Sequence, residues 1–188
     1  MSEEEGEEEL VWEVQKNMNI WDENRRHKTT LEELFDGNAR YMKFIASRLG
    51  SEGVKDGFQA TVDFTFEKNM GGLRKLGATF LKAVSKKLLL KKVIIGYYVN
   101  MQHVVDLKCI RKMEFNPDSA EILIEKCTGK TAWKMGLKNN QATDLFEPED
   151  YCEQSCIASF KKFLEVPNAT VTAEFQKRGC RQIIKLIP

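Results

Sequence analysis

Ala169-Thr170-Val171-Thr172-Ala173-Glu174-Phe175-Gln176-Lys177-Arg178-Gly179-Cys180-Arg181-Gln182-Ile183-Ile184-Lys185-Leu186-Ile187 reads as a β-hairpin. Ala169, Val171, Ala173 and Phe175 fall on one parity, the period of a strand with one buried face. Gln176 to Gly179 supplies the turn, and Cys180 opens the return strand. A second hairpin precedes it. Leu107, Cys109, Met113 and Phe115 share a parity from which Arg111 departs, Asn116-Pro117-Asp118-Ser119 turns the chain, and Glu121 to Cys127 returns. Two hairpins predict an antiparallel sheet with one face against a core.

Between the hairpins, Thr128 is placed to cap a short helix through Leu137, and Pro148 to start a longer one reaching Val166. The N-terminal half is helical in pattern. A capping box Thr30-x-x-Glu33 predicts a helix carrying Leu31, Leu34, Phe35, Met42, Ile45 and Leu49 as far as Gly50. Ser51 then opens another with Val54, Phe58, Val62 and Phe66, ending at Met70-Gly71-Gly72. Apolar positions from Leu73 to Val84 and from Leu90 to Met101 define two offset stripes, hence a bent helix near Lys86 to Leu90 or two helices. Upstream, Leu10 to Trp21 suits a short helix or a docking arm. The expected fold is therefore α+β, a helical N-terminal half packed on a small antiparallel sheet with two intervening helices. Residues 1–9, with six glutamates, are expected as a disordered acidic tail, and residues 10–188 as a single domain.

Composition agrees with this. The chain has 188 residues, 42% hydrophobic and 30% charged, with a net charge of +1. The most apolar stretch, Leu88 to Val105, is broken by Lys91 and Lys92, so no membrane span is expected, and the acidic N-terminus does not read as a secretory signal. A cytoplasmic setting follows as the expectation. Near-neutrality conceals a basic middle: Lys68 to Lys112 holds eleven Lys or Arg and one acid, Asp106. No aromatic platform or glycine loop organises it for bases, so it reads as a solvated helix face rather than a nucleic-acid surface. Gly129-Lys130-Thr131 resembles the end of a phosphate loop but has Ile124 where that loop needs glycine, and is discarded.

The chemistry-bearing residues are the cysteines. Cys109 shares its parity with Met113 and Phe115 and reads as packing. Cys152 and Cys156, four apart on a helix, face the same way, while Cys127 closes one strand and Cys180 opens another. These four can meet around one pocket, with three readings: ligands for zinc or another thiophilic metal, a nucleophilic or redox thiol, or small apolar core residues. The histidines are weaker candidates. His27 lies in a polar stretch and reads as a solvated loop residue, and His103, entering the sheet region between apolar neighbours, reads as a partly buried, satisfied imidazole.

Read as an order of features, the C-terminal 80 residues resemble a family: a strand ending in Cys127, the helical Thr131-Ala132-Trp133-Lys134-Met135-Gly136-Leu137, the acidic Glu149-Asp150-Tyr151-Cys152, and a hairpin with Arg178-Gly179-Cys180. The resemblance is to vinyl-reductase-type domains and to proteins named after L-2-amino-thiazoline-4-carboxylate hydrolase, small α+β domains sharing the fold of TRAPP trafficking subunits. The family's hairpin carries Gly-Asp with a cysteine a few residues later, whereas here Cys180 follows Gly179 directly, and Cys156 is an addition. The resemblance implies a small-molecule-binding module, some relatives having cysteines placed for metal. The expected function is binding of a small-molecule ligand in a cysteine-lined pocket, with Cys127, Trp133, Tyr151 and Cys152 as ligand-binding residues, Phe160 as a further wall, and Cys127, Cys152, Cys156 and Cys180 as metal ligands. Alternatives are hydrolysis of a thiazoline-like or amide substrate, and an interaction subunit forming a homodimer through its long helices.

Overall fold

A computed structural model describes residues 22–70 and 85–188. The acidic tail, the Leu10 to Trp21 segment and the stripe from Leu73 to Val84 lie outside the described residues. In chain order the elements are α1 (Glu23–Met70), α2 (Lys86–Asn100), β1 (Ile110–Phe115), β2 (Ser119–Ile124), α3 (Thr128–Asn139), α4 (Pro148–Tyr151), a π-helical turn (Cys152–Ile157), α5 (Ala158–Leu164), β3 (Ala169–Phe175) and β4 (Cys180–Leu186). The fold is α+β. Among the described residues no helix is long and apolar enough to cross a membrane.

The sheet is fully antiparallel in the order β1-β2-β4-β3, so the two sequence-local hairpins join through β2 and β4. Ala120, Ile122 and Ile124 of β2, Ile184 of β4, and Ala169 and Val171 of β3 are buried and belong to one core with the helices. The opposite face carries charge: Arg181 pairs with Glu121 at 3.0 Å and with Glu174 at 3.5 Å across three strands. A bulge between Ile110 and Lys112 explains why Arg111 broke the alternation, since the extra residue is left unpaired and points outward.

Two helix starts differ from expectation. Thr30 is interior to α1, because Asp22 already caps the helix, its Oδ1 accepting from the Arg25 amide at 2.7 Å. His27 is thus an exposed helical residue rather than a loop one. Cys127, not Thr128, is the N-cap of α3, its sulfur accepting from the Lys130 amide at 3.4 Å, while Thr128 donates its hydroxyl to the Val104 carbonyl. The helix expected from Pro148 to Val166 contains the π-helical turn, which a heptad-style reading of apolar spacing does not register.

Gly50 reverses the long first helix. Its φ of 68° and ψ of −164° lie where only glycine sits without strain. A Cβ on Gly57 would sit 3.6 Å from Met42, although fifteen residues of straight helix span about 22 Å. Arms 23–49 and 51–70 therefore pack against each other. The first arm also meets α3 at backbone distance, since a Cβ on Gly136 would lie 2.6 Å from the Phe35 carbonyl oxygen. Asn140 donates to the Asp36 carbonyl at 3.1 Å, and Lys43 donates to the carbonyls of Asn140 and Gln141 at 2.8 and 3.0 Å, closing the C-terminus of α3. We predict that Gly136→Ala destabilises the fold by about 1–3 kcal/mol through overpacking, measured as a shifted urea midpoint, whereas Gly37→Ala, which meets nothing within 4 Å, leaves that midpoint unchanged or raises it.

Candidate functional site

The helices enclose a cavity of about 580 Å³, reached by α1, α2, α3, α4, the π-helical turn and α5. Its walls are mainly aromatic: Phe35 and Phe58 come from the two arms of α1, Tyr97 from α2, Trp133 from α3, and Tyr151 and Phe163 from the later helices. These rings lock one another. Phe35 meets Tyr151 edge-on at 4.7 Å, Phe58 meets Trp133 at 6.4 Å, and Tyr97 meets Phe163 at 5.5 Å. The Trp133 indole nitrogen donates to the Glu147 carbonyl at 3.3 Å, which fixes the ring. Phe64, 68% exposed, and Leu34, 46% exposed, stand at the solvent side. Polar lining side chains include Asn38, Thr65, Lys68, Asn100 and His103, with Ser155 and Ser159 buried deeper.

A second, much smaller cavity of about 20 Å³ lies between the sheet end and the helices. Cys127, Cys152, Cys156 and Cys180 all line it, together with Lys130, Tyr151 and Phe175. Three local features bring the sulfurs together. The Cys127 amide donates to the Arg178 carbonyl at 2.8 Å, tying the end of the first hairpin to the turn of the second. Gly179 permits this, because a Cβ there would fall 1.8 Å from the Ile124 carbonyl oxygen. The π-helical turn then carries Cys152 and Cys156 to the same space.

The environment keeps these thiols protonated. Burial pushes Cys127, Cys152, Cys156 and Cys180 upward, Cys156 to about 12, against the opposing pull of Lys130 on Cys127, Cys152 and Cys180. Cys156 sits 3.8 Å from the Tyr97 hydroxyl, and Cys180 accepts from Gln182 at 3.3 Å. Tyr98 in turn donates to Gln182 at 2.6 Å, so the buried Gln182 is satisfied on both sides. Lys130, only 4% exposed, ion-pairs with Glu149 at 2.6 Å and donates to the Gln176 carbonyl at 2.7 Å, clasping α3, α4 and the last turn. Among the described residues no three His, Cys, Asp or Glu side chains are grouped to hold a metal ion. The donors are soft sulfurs of the type that thiophilic metals take, but as arranged they line an apolar-walled space with room for one water-sized body.

The residues expected to bind a ligand are thus divided. Trp133 and Tyr151 line the large cavity, Cys127 and Cys152 the small one, and Tyr151 is the wall between them. Phe160 lines neither, being fully buried and stacked on Tyr97 at 4.5 Å. His103 is exposed in the turn after α2 rather than buried in the sheet, because the chain reaches β1 only at Ile110; it lines the large cavity. Lys130 was legible as unusual. It falls three and seven residues before Trp133 and Leu137, on the apolar face of its helix.

No protein-family model, no curated protein and no solved structure matches this chain. The class defined by fold and cavities is an α+β protein with an aromatic-walled cavity, open to solvent on one side, beside a small thiol-lined one.

Two predictions follow from the small cavity. With a disulfide-exchange reagent at pH 8, the four cavity thiols react only slowly in the folded state, Cys109 reacts first, and labelling accelerates as pH rises toward the raised pKa values. Fast native labelling of Cys152 contradicts the burial. Second, Lys130→Met costs about 2 kcal/mol, the worth of hydrogen bonds to a charged group. Because Lys130 holds the Glu149 carboxyl below its ordinary 4.5, this stabilisation is full above that pH and is lost as pH falls through the lowered value. Chemical denaturation from pH 6 to pH 3 should show a smaller acid-side loss in Lys130→Met than in the unsubstituted chain.

Proposed function

We propose that this protein binds a small organic molecule in the aromatic cavity between its helices. The observation carrying the reading is the cavity itself: about 580 Å³, within the range that holds drug-sized ligands, with aromatic walls, polar groups at its solvent side and two buried serines deeper. Interlocked rings and the bound Trp133 nitrogen support a preformed site, which spares a ligand the ordering cost of building it. The thiol cavity is too small for such a molecule and supports a separate role. Its four lining cysteines support a second reading, uptake of zinc or another thiophilic metal, for which the thiols would have to draw together and release their protons. The hydrolase alternative draws no support from these thiols as they stand, since none is a ready thiolate. Dimerisation through the helices remains a proposal for light scattering to test.

Native mass spectrometry of the purified chain, followed by thermal-shift screening of aromatic acids, amides and amines, tests the leading reading. A binder at a hundred times its Kd adds about 2.7 kcal/mol to stability. Thr65→Phe, which fills the cavity from α1, should abolish the shift while the circular dichroism spectrum stays the same. Binding that survives Thr65→Phe, or a screen without binders, counts against it. For the metal reading, protein prepared without chelator should carry one zinc equivalent that Cys152→Ser and Cys156→Ser lose.

A further inference from the structure

The charge of the cavity lining selects among ligands. Of the described lining residues, two are basic, Lys68 and His103, and none is Asp or Glu. Both are exposed, so they stand at the solvent side of the cavity. The fold-back of α1 places them near each other. Met42 meets Gly57 across the reversal, and counting outward along antiparallel arms brings the turns around Lys68 beside those around Leu34, a lining residue. His103 belongs to the same end, since Val104 next to it and Phe35 both lie within 3.5 Å of a Cβ built on Gly129.

The polar atoms there are uncommitted. The Lys68 ammonium and the Asn38 amide make no hydrogen bond or ion pair to described residues. His103 bonds Asn100 through Nδ1 at 3.0 Å. A carbonyl oxygen only accepts, so Nδ1 carries the hydrogen; Nε2 is the ring atom left for a ligand, and it donates to an anion in the imidazolium form. On the second arm, Asp63 is directed to Lys162 at 3.8 Å.

Resting on the cavity reading above, we infer that the ligand is an amphipathic anion, an aromatic or alicyclic body bearing a carboxylate. The body lies against Phe35, Phe58, Tyr97 and Trp133, and the carboxylate is held by Lys68 and His103, with the Asn38 amide as a third donor. A carboxylate offers acceptors to the Lys68 ammonium, to the Asn38 amide and, in the imidazolium form, to His103 Nε2, whereas a cation of the same shape meets the Lys68 charge with no acid among the described lining residues.

The test uses three probes of one shape and different charge: naphthalene-carboxylate, naphthalene-carboxamide and naphthylmethylammonium. Their binding to the full chain is measured by calorimetry. The carboxylate is expected to bind roughly tenfold more tightly than the amide, an advantage that shrinks as salt rises from low to physiological. The cation is expected to bind weakest. In the double variant Lys68→Gln, His103→Gln, whose sites are exposed and outside the core, the carboxylate falls to the affinity of the amide, and the amide itself changes less than about twofold. Equal binding of carboxylate and amide overturns the anion inference and leaves the cavity reading standing, provided Thr65→Phe still abolishes both. Absence of binding for all three probes overturns both.

Discussion

The approach of α3 to the first arm of α1, where Gly136 lies on the Phe35 backbone, is the contact on which the rest of the arrangement depends. A side chain at that point would hold the helices apart. One turn earlier on α3, Trp133 is thereby set between Phe58 of the second arm and Tyr151 of α4. Asn140 and Lys43 then fasten the far end, Asn140 through its side chain to the Asp36 carbonyl and Lys43 by taking up carbonyls that the end of α3 leaves unpaired. The reversal at Gly50 supplies the other constraint. With both arms of α1 packed on the same side, their aromatic residues face α2 and α5 across a space that the side chains do not fill.

The smaller cavity shows burial prevailing over local electrostatics. Cys127 sits at a helix N-terminus beside a buried lysine, two features that favour a thiolate. Desolvation outweighs both, and Lys130 is already engaged by Glu149 and the Gln176 carbonyl. The sulfurs converge as neutral groups in an apolar setting, which is how buried cysteines ordinarily pack. This is also why convergence alone does not make a metal centre. Ligation requires the protons to leave and three or more donors to share one point.

The sheet and most helices were legible in the sequence because their signals are local. Alternation in Ala169 to Phe175 and the Gly179 turn set β3 and β4, and Gly50 and Pro148 marked boundaries through their own backbone limits. The errors arose where a neighbour supplied what a local rule expected from the chain itself. Asp22 displaced Thr30 as cap, Cys127 displaced Thr128, and the π-helical turn changed the backbone without changing the apolar count. The sequence allowed the four cysteines to meet, and they line one cavity, but the ligand space expected of them holds only a water-sized body.

By itself, then, the sequence determined the α+β class and the two hairpins, which follow from periodicity and backbone preference over short stretches, and it allowed Cys127, Cys152, Cys156 and Cys180 to meet without requiring it. Only the tertiary structure decided that Trp133 and Tyr151 border a separate, larger space with Lys68 and His103 at its solvent side. A cavity is the volume left between elements from distant parts of the chain, so its position depends on packing distances such as Gly136 to Phe35 and on the direction taken at Gly50, which no local pattern encodes.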